Sequence, residues 1–155
     1  MSRTRAAFKP PEEVTVALIK PEGLTELQSM RLRMARLGLR IIAKREVLWD
    51  ESTADSTLQK LYPDAPRPML DAARDHFTGR VTPVLLIRGR NAIQVVRQLV
   101  GLHADPRQCK SYHLRHAYAE LEPVPIKDGW YFRNGVHRCD TEEEATRLFN
   151  LFFVY

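Results

Sequence analysis

The stretch Asn134-Gly135-Val136-His137-Arg138-Cys139-Asp140 holds the residue best suited to chemistry. His137 sits between a short apolar approach and an acidic helix start, Glu142-Glu143-Glu144, which Asp140 or Thr141 can cap. A histidine fixed there offers an imidazole nitrogen as nucleophile or general base. A lone histidine is more often a hydrogen-bonded structural residue, so the rest of the chain has to carry the case. The second candidate is Lys20. It follows the continuous apolar run of residues 14–19, which reads as a buried central strand broken at Pro21 and Gly23. A lysine at the exit of such a strand can point into a cleft, or equally snorkel to the surface.

The elements that position these residues follow from periodicity. Residues 24–37 carry apolar side chains at Leu24, Leu27, Met30, Met34 and Leu37, an amphipathic helix stopped at Gly38. Residues 39–49 read as a strand. Residues 50–62 open with cap chemistry and read as a short helix, and residues 69–77 as another, joined by a connector with Pro63, Pro66 and Pro68. Residues 81–87 form a second buried strand, in which Pro83 predicts an edge or a bulge. Asn91 is the expected cap of a helix over residues 92–100 that Gly101 ends. Residues 102–134 lose all period and read as a long loop, a feature usually functional or mobile in a compact domain. A final helix runs from Glu142 to about Phe153. Two βαβ-like halves imply an α+β fold of the ferredoxin-like type, an antiparallel sheet with helices on one face.

A chain of 155 residues suits one domain with a real core. Residues 1–11 read as a flexible basic arm ahead of a single domain over 12–155. No apolar run approaches the ~20 residues that span a bilayer, and the N-terminus lacks the apolar centre of a secretory signal. Cys109 and Cys139 are the only cysteines. Without metal-ligand spacing they argue against a zinc site and a disulfide scaffold, and for a reducing compartment. The net charge of +5 favours an anionic partner: nucleotide phosphates, nucleic acid or an acidic surface.

Taken together, these stretches resemble the nucleoside diphosphate kinases over nearly the whole chain. Thr15-Val16-Ala17-Leu18-Ile19-Lys20-Pro21-Glu22-Gly23 looks like the family's opening strand and Lys-Pro turn. Residues 78–86 and then Asn91-Ala92 look like its second central strand and the helix cap after it. Val95-Val96-Arg97-Gln98-Leu99-Val100-Gly101 and Ala104-Asp105-Pro106 resemble the helix before the nucleotide loop and the segment that follows. Asn134-Gly135-Val136-His137 with Asp140 resembles the active-site strand. The order of these pieces is what makes the likeness specific.

The resemblance implies a ferredoxin-like core and ping-pong transfer of the γ-phosphoryl of a nucleoside triphosphate to a nucleoside diphosphate. His137 would be the nucleophile. Lys20, Arg97 and Arg115 would supply positive charge, the arginines through forked hydrogen bonds. Tyr62 would orient the transferring phosphoryl, Met69 would pack on the base, and Asn134 would bond the sugar hydroxyl. Mg²⁺ would enter bound to the nucleotide phosphates, with no metal ligands from the protein. The partners would be nucleoside di- and triphosphates and a homo-oligomer or larger assembly, without nucleic acid or membrane. The compartment would be the cytoplasm.

The chain also departs from the family pattern. Leu148 stands where a glutamate usually orients the catalytic histidine. Arg138 and Cys139 replace a small Gly and Ser. Arg138 could crowd the pocket or add a phosphate contact. Ala104 replaces a threonine, Met69 an aromatic residue, and Tyr131 an apolar residue where it could wall the base. The loop between Arg115 and Asn134 is longer than usual, and the usual tail after the last helix is missing from this sequence, so oligomer contacts are expected to differ. These departures support a second reading: a weakly active or non-catalytic nucleotide-binding member serving as a structural module, for example in a ciliary or axonemal assembly. Nucleic-acid binding through dispersed arginines is the weakest reading.

Overall fold

In the computed structural model, which describes residues 10–117, 119–120 and 122–154, four strands form an antiparallel sheet in the order β2-β3-β1-β6. β1 is Glu12–Ile19, β2 Arg40–Leu48, β3 Val81–Arg90 and β6 Val136–Arg138. The two most apolar runs, β1 and β3, take the centre. Along β1, Thr15 to Ile19 are all buried, so the strand is covered from both sides. This is the expected α+β, ferredoxin-like sheet. Residues 1–9 of the expected arm lie outside the described residues.

The helices cover both faces of the sheet, where one face was expected. Val16, Leu18, Val84 and Leu86 pack under α2 (Ala54–Leu61), α3 (Arg67–Phe77) and α6 (Glu142–Phe153). Ala17, Ile19, Leu85 and Ile87 pack under α1 (Leu27–Arg36) and α4 (Ala92–Val100). Strand alternation divides each central strand between the two cores. Each fully buried aliphatic side chain contributes about 1.5–3 kcal/mol to this packing.

Several local expectations shift. α1 begins at Leu27, because Pro21–Glu26 forms a 3₁₀ turn first. Asn91 lies at the start of α4 in the left-handed region but makes no side-chain cap; the carboxylate of Glu13 on β1 accepts the Ile93 N–H at 2.9 Å instead. β3 is an interior strand despite Pro83. Its pairing with β1 reaches only Val84, so the proline sits past the last β1 partner, and the bulge lies in β2 between Ile41 and Ala43.

Residues 102–134 are not one long loop. They hold a 3₁₀ turn at Pro106–Gln108, the short α5 (Leu114–Ala117), and a hairpin of β4 (Val124–Ile126) and β5 (Gly129–Tyr131). Ile126 pairs with Gly129 across Lys127-Asp128, with Asp128 at φ 63°. The hairpin packs on the α2/α3 side, with Tyr131 buried in that core.

The turn before β6 is fixed from outside. Gly135 has φ 79°, its carbonyl accepts the Lys20 N–H at 2.9 Å, and its own N–H donates to Glu22 at 2.8 Å. A Cβ on Gly23 would come within 2.7 Å of the Gly135 carbonyl oxygen, so the approach of the two turns needs glycine at residue 23.

Candidate functional site

His137 is opposite Leu18 in the β1–β6 pairing and points to the side of α2, α3 and α6. Its ring stands edge-on to Tyr62, with centroids 5.2 Å apart. Its Nε2 lies 3.2 Å from Oε1 of Glu144 in the first turn of α6. Glu144 is itself fixed by the helix start. Its N–H donates to Oγ1 of Thr141, and its Oε2 accepts the Asp140 N–H at 2.9 Å. That is a capping-box arrangement whose carboxylate has an oxygen to spare for the imidazole.

The electrostatics set the protonation states. Burial would raise the pKa of Glu144, but the His137 hydrogen bond and the Asp140 N–H bring it below the usual carboxylate value. An ionised Glu144 makes Nε2 of His137 the N–H bearing nitrogen and leaves the Nδ1 lone pair free. Burial lowers the pKa of His137 itself, against the pull of Glu144 and with the help of Lys20 and Arg115. The ring is therefore neutral at neutral pH and nucleophilic at Nδ1.

In front of His137 opens a cleft of about 640 Å³ whose lining includes Tyr62, Pro63, Met69, Glu144 and Arg147. Tyr62 ends α2 and Met69 starts α3, so the proline-rich connector between them forms its rim. Three expected residues lie deeper. Lys20 is 4% exposed, with Nζ 6.0 Å from the Tyr62 ring and 5.7 Å from the Tyr131 ring. Burial lowers its pKa to about 8, with Glu22 opposing and Arg115 adding to the shift. Arg115 is 7% exposed and donates to the carbonyls of Gly101, His103 and Val136. Burial and the nearby Arg138 lower its pKa to about 10, so it stays charged at neutral pH. Asn134 is buried and donates to the Ala104 carbonyl at 2.9 Å.

Arg97 stands apart from the cleft lining, paired through Nε to Asp140 at 2.7 Å. Arg138 neither crowds His137 nor reaches the cleft. Strand alternation turns it to the opposite face, where it donates to the Gly101 carbonyl at the end of α4 and to Asp140. Tyr131 is 2% exposed and turned inward, so it does not wall a base as the resemblance suggested.

Three buried polar atoms around this site make no hydrogen bond: the hydroxyl oxygen of Tyr62, Oδ1 of Asn134 and Oε2 of Glu22, the last held only by an ion-pair contact with His76. Buried polar groups are normally satisfied, and each exception calls for an explanation, of which a bound ligand is one. With Lys20 and Arg115 close enough to act on His137, the inventory is a neutral nucleophile, cations and spare hydrogen-bonding atoms, which suits a phosphate ester. Among the described residues no three His, Cys, Asp or Glu side chains gather to hold a metal ion. The cations Lys20 and Arg115 and the spare hydrogen-bonding atoms suit phosphate oxygens, on which a divalent ion could be carried. Also among the described residues, no helix is long and apolar enough to cross a membrane.

Glu144 was read from sequence only as a helix-start residue. Its signal was the Thr141-x-x-Glu144 box; what that box could not give is the helix phase that aims the carboxylate at His137. His76 carried no signal, since it falls on the buried side of α3 with no motif around it.

The nucleoside diphosphate kinase family model matches residues 13–155. Among curated relatives, the chain is 30% identical over 147 residues to the nucleoside diphosphate kinase of Archaeoglobus fulgidus, covering 91% of this chain and 86% of that protein. It is 27% identical over 143 residues to that of Pyrococcus furiosus, covering 91% and 83%. The fold matches a transition-state mimic of the Borrelia burgdorferi nucleoside-diphosphate kinase with bound vanadate and ADP at a TM-score of 0.75, with 19% identity over 92% of this chain and 87% of that one. It matches an NDP kinase from Pyrobaculum aerophilum at 0.71, with 23% identity over 92% and 96%.

Proposed function

This chain belongs to the nucleoside diphosphate kinase family, and from that membership we propose that it moves the γ-phosphoryl of a nucleoside triphosphate to a nucleoside diphosphate through a phosphohistidine at His137. The observation that carries the reading is the neutral imidazole held at Nε2 by Glu144, beside the buried cations Lys20 and Arg115. The Nδ1 lone pair attacks the γ-phosphorus. The bond to the β–γ bridging oxygen breaks, and its electron pair leaves on the nucleoside diphosphate. Nε2–H stays with Glu144, which stabilises the charge the ring gains. In the second half, a terminal oxygen of another nucleoside diphosphate attacks the phosphorus and the P–N bond returns its pair to Nδ1.

Lys20 and Arg115 supply the positive charge that positions and neutralises the phosphates. Tyr62 orients the transferring group, Met69 packs on the base in the cleft, Asn134 takes the sugar hydroxyl, and Arg97 serves the phosphates after release from Asp140. Mg²⁺, carried by the nucleotide, would supply further neutralisation of phosphate charge. Nucleoside di- and triphosphates are the partners, a homo-oligomer accompanies family membership, and the cytoplasm is the compartment that suits the substrates.

Incubation with γ-³²P-ATP and Mg²⁺ tests the reading. An acid-labile, alkali-stable label on the protein is expected. It is absent in His137→Gln and removed by a second nucleoside diphosphate. Nucleotide binding without label would instead support the structural-module reading.

A further inference from the structure

Tyr131 ends the β4–β5 hairpin, in the stretch that the resemblance implies is longer than usual, and its surroundings are specific. Its hydroxyl is 2.8 Å from Nδ1 of His76 on α3. Nε2 of His76 is 2.7 Å from Oε2 of Glu22, in the turn after β1, and both side chains are 5% exposed. The other oxygen of Glu22 accepts the Gly135 N–H at 2.8 Å. A buried chain thus runs from the hairpin, through α3 and the Lys20-Pro21-Glu22 turn, to the turn that carries Asn134 into β6.

Burial would raise the pKa of Glu22, but His76, Lys20 and the Gly135 N–H bring it below the usual range, so it is ionised: Oε1 accepts the Gly135 N–H and Oε2 faces Nε2 of His76 at ion-pair distance. His76 thus stands between the two, with Nδ1 at hydrogen-bond distance from the Tyr131 hydroxyl and Nε2 facing the Glu22 carboxylate. Burial raises the pKa of Tyr131, which keeps the proton on the phenol. The Tyr131 ring also lies against Lys20, 5.7 Å from Nζ to centroid, opposite Tyr62.

We propose that Tyr131 and His76 are positioning residues, which hold Lys20 and the Asn134-Gly135 turn in place, so that the inserted hairpin is a working part of the phosphate end of the site. What the positioned groups do rests on the phosphoryl-transfer reading; the positioning itself is measurable without it. A hairpin that only decorated the surface would not send its one buried aromatic side chain to Lys20 and into a buried chain of polar contacts ending at Gly135. The groups that face Lys20 are Glu22, Arg115, His137 and the rings of Tyr62 and Tyr131, with His76 behind Glu22.

The test is the pH dependence of ADP affinity, measured directly on the intact chain, alongside steady-state kinetics. In the parent protein the affinity falls through a midpoint near 8, where Lys20 loses its proton. Tyr131→Ala admits water to Lys20, and the midpoint moves up toward the ordinary lysine value. Glu22→Gln removes a supporting charge, and the midpoint moves down. Tyr131→Phe keeps the ring and the midpoint but breaks the chain, lowering kcat several-fold with little change in KM. Tyr131→Leu serves in place of Tyr131→Ala if the latter does not fold. A folded Tyr131→Ala or Tyr131→Leu protein with the parent midpoint, or Tyr131→Phe with unchanged kcat, would overturn the proposal. A parent protein that binds ADP without transferring phosphoryl would overturn the catalytic reading alone, and the midpoint shifts would still decide this one.

Discussion

Glu144 Oε1 lies 3.2 Å from Nε2 of His137, one helical turn before Leu148, which is fully buried in the core. Positions four apart share a helix face, so a carboxylate can move back one turn along α6 and still meet the same imidazole. Here the imidazole meets Glu144, while Leu148, where the resemblance implies a glutamate, packs in the core. Glu144→Ala should therefore lower kcat on the order of 10–100-fold, the scale of losing an orienting partner, with KM little changed. Loss of the helix cap should cost about 1 kcal/mol of stability. Steady-state kinetics and a denaturation curve check both. A kcat within a factor of about two of the parent would mean that His137 is oriented by something else.

The acid side of the pH profile follows from His137. Burial holds its folded pKa below the ordinary value of 6.5, and only the neutral ring can attack. Activity should hold as pH falls past 6.5 and drop at the lower pH where the ring gains its proton. Glu144 is the main group pulling that pKa up, so Glu144→Gln should move the acid limb of kcat/KM further down. A limb that moved up would contradict the charge relationship.

Lys20 illustrates a site kept at the expense of stability. Its folded pKa is lowered to about 8 from 10.5, so the unfolded chain binds the extra proton between those values. Stability should then rise with pH from about 8 to 10.5 through this group. Lys20→Met should raise stability on the order of 1–3 kcal/mol while abolishing transfer. Thermal melts of the two proteins across that pH range, read beside the phosphohistidine assay, check both halves. A destabilised Lys20→Met protein would show that Glu22 needs its cation more than the core resents it.

Much of this was legible in the sequence because it depends on local pattern. The apolar runs at residues 14–19 and 81–87 gave the two central strands, and Asn134-Gly135 gave the turn that leads into β6. The rest depends on geometry through space. The helix phase that sends Glu144, rather than residue 148, to His137 is invisible until α6 is docked. Strands of three residues, as in β4 and β5, have too little period to register. Glu13 caps α4 because the start of β1 lies beside it in space, not in sequence.

Arg138 separates packing from chemistry. Its guanidinium fills the gap between β6 and the end of α4, bonded to the Gly101 carbonyl and Asp140. Arg138→Gly should cost about 1–3 kcal/mol through lost packing and an underused carbonyl. Nucleotide KM should stay within about twofold. A stable variant with a much higher KM would instead make Arg138 a phosphate ligand.

Tyr62 and Asn134 each bury an oxygen with no partner, and a buried unsatisfied polar atom costs about 1–3 kcal/mol. Removing that atom relieves the cost in the empty protein and withdraws a contact from the filled one. Tyr62→Phe should leave stability unchanged or raise it by about 1 kcal/mol, and lower kcat, since the role proposed for the hydroxyl is to orient the transferring phosphoryl. Asn134→Ala loses one hydrogen bond to Ala104 along with the orphaned oxygen, so its stability should change by less than about 1 kcal/mol. Its KM should rise on the order of 10-fold, the worth of one hydrogen bond to a sugar hydroxyl. The two variants thus divide the site: one acts on turnover and the other on binding, with neither acting through the fold. If both lost stability heavily, the oxygens would be partnered in solution and would not await a substrate.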